Sequence, residues 1–287
     1  MSDRINFHGD DVTPSKPEDA QFHVIPVPYE RTVSYGGGTL NGPEAILKAS
    51  AQLELFDNKS VPADLGIYTD VPVDCSGSIK ETISNICNAI SKTIKLEKTP
   101  VILGGEHTVT YGAIEALYNK YGKDFGVVQF DAHADLRDSY DGTKFSHACI
   151  MKRVFDLNIP IYQLGTRSYS MEEHNLRIRH NIDYMDAEDL YKNGVDSFEL
   201  PPYFPENVFI TFDIDGLDSN IMPATGTPVP GGFGWYDAHA LIEKVMNNRK
   251  CIGFDVVEFA PIDKFHGYDF TAAQLVYNMM GILQRSI

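Results

Sequence analysis

The sequence predicts an α/β protein whose mainly parallel sheet is covered by helices on both faces. Three observations carry the prediction. Short apolar runs without polar alternation recur along the 287 residues, the pattern of strands buried on both sides. Between them lie stretches with apolar residues at helical spacing. No Pro/Ser-rich linker, repeat or low-complexity segment interrupts the alternation, so a single domain spanning 1–287 is expected, with about the first 20 residues as an N-terminal extension.

The elements follow in order. "FHVIPVPY" (22–29) reads as a strand, and "ISNICNAISKTIKLE" (83–97) as a helix carrying Ile83, Ile86, Cys87, Ile90 and Ile94 on one face. "TPVILGG" (99–105) is a strand, and "YGAIEALYNKYG" (111–122) a helix closed by Gly122. "FGVVQF" (125–130) is the next strand, followed by a helix around 147–156, the strand "IPIYQLG" (159–165) and a helix around 171–180. "NVFITF" (207–212) and "CIGFDVV" (251–257) are strands flanking the helix "WYDAHALIEKVMNN" (235–248), and "TAAQLVYNMMGILQRS" (271–286) is the closing helix. The Gly/Pro-rich pieces "SYGGGTLNGP" (34–43) and "MPATGTPVPGGFG" (222–234) read as ordered surface loops.

Composition bounds the function. With 24 Lys and Arg against 40 Asp and Glu, the net charge is −16, which argues against a nucleic-acid partner. It suits a cationic substrate and equally an ordinary soluble surface. The four cysteines, Cys75, Cys87, Cys149 and Cys251, are scattered and form no CxxC pair, so free thiols in a reducing compartment are expected. The start "MSDRINFHGDDVTPSKPEDA" lacks the apolar core of a signal peptide, and no run approaches the roughly 20 apolar residues of a membrane span. A cytoplasmic protein with no membrane partner is expected.

In open α/β sheets ligands bind at the carboxyl ends of the strands. Four predicted strands end in loaded residues: Glu106-His107 after "VILGG", Asp131, His133 and Asp135 after "GVVQF", Asp213, Asp215 and Asp218 after "VFITF", and Glu258 after "CIGFDVV". Parallel strands bring these ends to one edge. Carboxylates crowded there would repel or take up protons, and divalent cations relieve both. Oxygen-rich N/O ligands without thiolate favour Mn²⁺ above Fe²⁺, Co²⁺ or Zn²⁺. Two imidazoles and at least four carboxylates converge, and six such ligands suit two ions about 3.5–4 Å apart, between which a water becomes nucleophilic near neutral pH. The cluster therefore points to a hydrolase. A DxHxD segment alone is compatible with a polar turn, and "DIDGLD" lacks the later Gly and Glu of a calcium loop; their joint occurrence behind separate strands argues for the metal. His147, opening a helix, and Glu258 are free of metal duty and available to a substrate. His8, His23, His174, His180, His239 and His266 read as structural.

Taken together, "GGEHTVT" (104–110), "FDAHADLRD" (130–138), "SHAC" (146–149), "FDIDGLDSNIMPATGTPVPGG" (212–232) and "DVVEFAP" (255–261) resemble the ureohydrolase family of arginases and agmatinases, most of all agmatinases. The opening "VPYERTVSYGGGTLNGPEAI" (27–46) fits the same family, and the likeness runs from about residue 22 to the last helix. The resemblance implies a three-layer α/β/α fold around a mostly parallel eight-stranded sheet. It implies two manganese ions per chain held by His107, Asp131, His133, Asp135, Asp213 and Asp215, with Asp131 and Asp213 bridging. It implies catalytic roles for Asp135 in holding the attacking water, His147 as proton shuttle and Glu258 as guanidinium partner, and a trimeric or hexameric assembly. The chain departs from the family pattern at Glu106, Ser219 and Ala148-Cys149. A small cationic guanidino substrate is implied, agmatine first, with Asp138 or Asp141 of the loop 136–146 facing its amine. Arg137 or Lys144 could instead hold the carboxylate of guanidinobutyrate or formiminoglutamate, and arginine is a further candidate. Two other classes remain: a non-catalytic metal- or polyamine-binding regulator, and a single-zinc deacetylase on the same fold.

Overall fold

The computed structural model describes residues 5–247 and 249–287. Eight strands form one sheet: β1 (Phe22–Val27), β2 (Ile67–Thr69), β3 (Thr99–Gly104), β4 (Gly126–Phe130), β5 (Ile161–Leu164), β6 (Asp183–Met185), β7 (Asn207–Asp213) and β8 (Lys250–Val257). Their order is β2-β1-β3-β8-β7-β4-β5-β6, and every pairing is parallel. Parallel neighbours need crossovers, which the helices supply. These are α1 (Gly42–Ser50), α2 (Ile79–Lys95), α3 (Thr110–Tyr121), α4 (Ile150–Asp156), α5 (Met171–His180), α6 (Ala187–Asn193), α7 (Trp235–Met246) and α8 (Gly267–Ser286).

Side chains alternate across a strand, so each strand feeds two cores. Val24, Val101, Leu103, Phe130 and Phe212 pack with residues of α1, α7 and α8 on one face. Ile25, Val27, Ile102, Val127 and Phe209 pack with α2, α3 and α4 on the other. This is the expected α/β/α layering. Phe130 and Phe212, on neighbouring strands, stack with centroids 5.1 Å apart directly behind Asp131 and Asp213, so core packing fixes the two strand ends.

Three features differ from the sequence reading. The edge strands β2 and β6, three residues each, are too short to show a pattern and take their conformation from pairing with β1 and β5. Helix α2 starts four residues before the predicted 83, because Ser78 and Glu81 form a reciprocal capping box. Helix α1 begins within the stretch 34–43 read as loop, its Gly-Pro pair at the helix start where proline is tolerated, and α6 lies in a stretch to which the sequence reading assigns no element. Among the described residues no helix is long and apolar enough to cross a membrane.

Candidate metal centre and substrate cavity

The four strands with loaded carboxyl ends, β3, β8, β7 and β4, are the four central neighbours of the sheet. The register therefore brings all six predicted ligands together. His107 Nδ1 lies 3.3 Å from Asp131 Oδ2, 3.0 Å from Asp135 Oδ2 and 3.3 Å from Asp213 Oδ2. His133 Nδ1 lies 3.0 Å from Asp215 Oδ2 and 3.5 Å from Asp131 Oδ1. Two candidate metal groups emerge, one of His107, Asp131 and Asp135 and one of Asp131, His133 and Asp215, with Asp131 shared. Asp213 reaches the His107 side with one oxygen, while its other oxygen accepts the backbone N–H of Asp215.

These groups fit a pair of cations. A small hard cation with ligands at about 2.1 Å in octahedral geometry sets neighbouring ligand atoms about 3 Å apart, close to the spacing seen here. The buried His107 Nδ1 has no hydrogen-bond partner. Its tautomer follows from the other nitrogen: Nε2 is 2.9 Å from Thr211 Oγ1, whose own proton goes to Asp255 at 2.7 Å. Thr211 can then only accept, Nε2 carries the hydrogen, and the Nδ1 lone pair faces the three carboxylates, as a ligand requires. Thr211 and Asp255 were not singled out from sequence; the only signal was a Thr and an Asp two and three residues ahead of Asp213 and Glu258.

The electrostatics agree. Burial disfavours an imidazolium at His107, but Asp131, Asp135 and Asp213 overcome it and raise its pKa well above the usual value. At His133 burial is likewise outweighed, by Asp215 and Asp131, and the pKa rises to about 12. Burial and the charge of Asp131 push Asp135 up to about 7. Asp255 is pushed to about 6 by burial, against the pull of His107 and its hydroxyl partners. The cluster thus tends to keep protons that a cation would displace.

Two residues of the site stand at positive φ, Asp135 at 51° and Glu258 at 62°. Non-glycine residues adopt this region at a cost, and such strain concentrates at functional sites. Glu258 is buried, and its Oε1 accepts the backbone N–H of His107 at 2.6 Å. Burial, with Glu106 and Asp215 nearby, raises its pKa to about 8. The close approach of β1 and β3 needs a glycine before Glu106: a Cβ on Gly105 would lie 1.9 Å from the Tyr29 carbonyl oxygen. Arg167, also unpredicted, holds the Asp215 loop by donating to the carbonyls of Asp215 (2.7 Å), Val229 (2.8 Å) and Gly165 (3.0 Å).

A cavity of about 280 Å³ opens above the cluster; His133, Asp135, Asp213, Asp215, His147 and Glu258 reach it. Its outer wall includes Tyr35, Arg137, Tyr140, Tyr169 and Glu173. Of the expected tail residues Arg137, Asp138, Asp141 and Lys144, only Arg137 reaches this wall. Asp138 does not line the cavity; it turns to Arg153 at 2.9 Å and Lys144 at 3.5 Å. Asp141 and Lys144 also lie off its walls. Local cations capture Asp138, which the sequence spacing could not show.

Fold and site define an α/β protein with a candidate His/Asp metal centre at the carboxyl edge of a parallel sheet. The family model of the arginase family matches residues 20–281, and the chain belongs to that family. It is 37% identical over 272 residues to the N(1)-aminopropylagmatine ureohydrolase of Synechocystis, covering 92% of this chain and 89% of the relative. It is 32% identical over 275 residues to the agmatinase of Pyrococcus horikoshii, covering 93% and 94%. The structure of the agmatine ureohydrolase of Thermoplasma volcanium superposes with a TM-score of 0.88 at 31% identity, over 99% of this chain and 96% of that one. The chain is accordingly an enzyme of the ureohydrolase type, which removes the non-catalytic and deacetylase readings.

Proposed function

We propose that this chain, acting as a single domain, hydrolyses the guanidino group of a small amine-tailed compound, agmatine first, to urea and a primary amine. One observation carries the reading: two ligand groups sharing Asp131 present Asp135, His133 and Asp215 to a cavity that His147 and Glu258 also line. His107, Asp131, Asp135 and Asp213 would hold one manganese ion, and Asp131, His133, Asp213 and Asp215 a second. When bound, such a pair neutralises the carboxylates and makes water nucleophilic near neutral pH. Glu258 pairs with the guanidinium, whose planar donors match a carboxylate. Asp135 accepts a hydrogen bond from the attacking water and orients it toward the guanidinium carbon. His147 passes a proton to the leaving nitrogen. Glu173, the one lining carboxylate outside the cluster and Glu258 among the described residues, has its oxygens held by Leu136 and Ser170 and serves the amine end through its charge, beside the tyrosine faces.

A second reading, an N1-aminopropyl extension of the same substrate, is favoured by the relative at 37% identity and by the open, tyrosine-lined rim. Urea release from agmatine, aminopropylagmatine, guanidinobutyrate and arginine with added manganese tests both. Preference for either carboxylate-bearing compound overturns the amine-tail reading and leaves the reaction class standing. The cytoplasmic setting and a trimer or hexamer belong to the same proposal; sedimentation of a monomer would remove the latter.

A further inference from the structure

Glu106 lies next to a proposed ligand, yet its side chain faces away from the metal cluster. It is wholly buried and accepts four hydrogen bonds. Oε2 takes the backbone N–H groups of Arg31 and Thr32, the latter at 2.7 Å. Oε1 takes the hydroxyls of Thr32 and Thr108, both at 2.7 Å. A threonine hydroxyl has one proton, and that of Thr32 is committed to Glu106. Thr32 Oγ1 is therefore an acceptor toward everything else. Two donors meet it, both from His147: the backbone N–H at 3.1 Å and ring Nδ1 at 3.2 Å. If Nδ1 carried a lone pair, two lone pairs would face each other across that contact.

We propose that Glu106 and Thr32 are positioning residues that hold His147 as its Nδ1–H tautomer, leaving Nε2 as the nitrogen that exchanges protons in the cavity. The inference rests on the reading of His147 as the proton-transfer residue. Ser146 Oγ, 3.2 Å from the same Nδ1, is compatible as a second acceptor; Thr32 decides the tautomer because its proton is already placed. The T-shaped contact of the His147 ring with Tyr140, centroids 5.6 Å apart, limits ring rotation and keeps the two nitrogens distinct. The logic is that of a carboxylate orienting a catalytic imidazole, here with a hydroxyl interposed. It assigns a task to Thr32, in the segment "YERTVSYGGG", and to the glutamate at position 106.

Nitrogen-15 NMR of histidine-labelled full-length protein loaded with zinc, a diamagnetic ion, reads the tautomer directly. Kinetics of the manganese-loaded enzyme read its consequence. In the wild type, neutral His147 is expected to be protonated at Nδ1. Thr32→Val, nearly isosteric, is expected to shift it toward the Nε2–H form. It should also lower kcat about ten- to a hundredfold, with KM and bound manganese nearly unchanged. Thr32→Ser, which keeps the hydroxyl, should recover most of the loss, and Glu106→Gln should act in the same direction as Thr32→Val. An unprotonated Nδ1 in the wild type overturns the proposal, and so does Thr32→Val with an unchanged tautomer and kcat while His147→Asn is inactive. Full activity of His147→Asn would instead strike the proton-transfer reading itself, and the positioning role with it.

Discussion

Asp131 shows what a single side chain is asked to do. It is common to both candidate metal groups, with one oxygen toward His107 and the other toward His133. An asparagine there cannot compensate the charge of two cations, so Asp131→Asn should lower manganese content at both positions, as elemental analysis would show; one ion retained at full affinity would contradict the shared role. Glu258→Gln should remove the proposed charge-assisted guanidinium pair, a loss of about 1.5–3 kcal/mol that kinetics should read as about ten- to a hundredfold in kcat/KM for every guanidino substrate tested. A different residue sets a pH dependence of stability. His8 is wholly buried with both ring nitrogens unbonded, and burial, opposed weakly by Asp11, lowers its pKa to about 4. Below the unfolded value of 6.5 the unfolded chain takes a proton that the folded chain refuses, so stability should fall as pH drops from about 6.5 to about 4. His8→Asn, which tolerates the positive φ of 64° at this position, should flatten that part of the denaturation profile relative to wild type.

Elements position these residues through close backbone contacts. Gly105 links β3 to the Glu106-His107 turn, and its N–H bonds Val27 while that of Glu106 bonds Tyr29. Because a Cβ at 105 would collide with the Tyr29 carbonyl, Gly105→Ala must displace this turn. Weaker manganese binding and a lower Tm are expected together; an unchanged Tm with normal metal content would show that the turn has slack. Much at this scale was legible beforehand. The six long strands and the helices α2, α3, α4, α5, α7 and α8 advertise themselves by apolar runs and helical spacing. Residues 67–69 and 183–185 do not, since three residues hold no period, and neither does α1, whose glycine and proline read as loop while the structure uses them at a helix start.

For the whole molecule, the crowded edge of the sheet is a liability that the proposed cation binding would relieve. Ions that bind only the folded chain stabilise it by about 2.7 kcal/mol per site at a hundredfold excess over Kd, which for a chain of this size is a Tm rise of several degrees per site. Manganese should raise the Tm, chelation should reverse it, and Asp131→Asn should abolish most of the rise. Proton release on binding, measured by calorimetry in buffers of different ionisation enthalpy, should accompany it, because His107, His133 and Asp135 hold protons more tightly than usual. The six candidate ligands and Glu258 stood out in the chain because they follow four apolar strands whose carboxyl ends share one edge, whereas His147, which follows no strand, stood out through the "SHAC" motif at a helix start. What no linear pattern contains is which side chains meet across that edge. Strand order makes β3, β8, β7 and β4 neighbours; three-dimensional packing delivers Asp138 to Arg153 rather than to the cavity and brings Thr32 between Glu106 and His147. Hydrogen-bond partners 74 to 115 residues apart are selected by distance and direction in space, and only the folded chain has those.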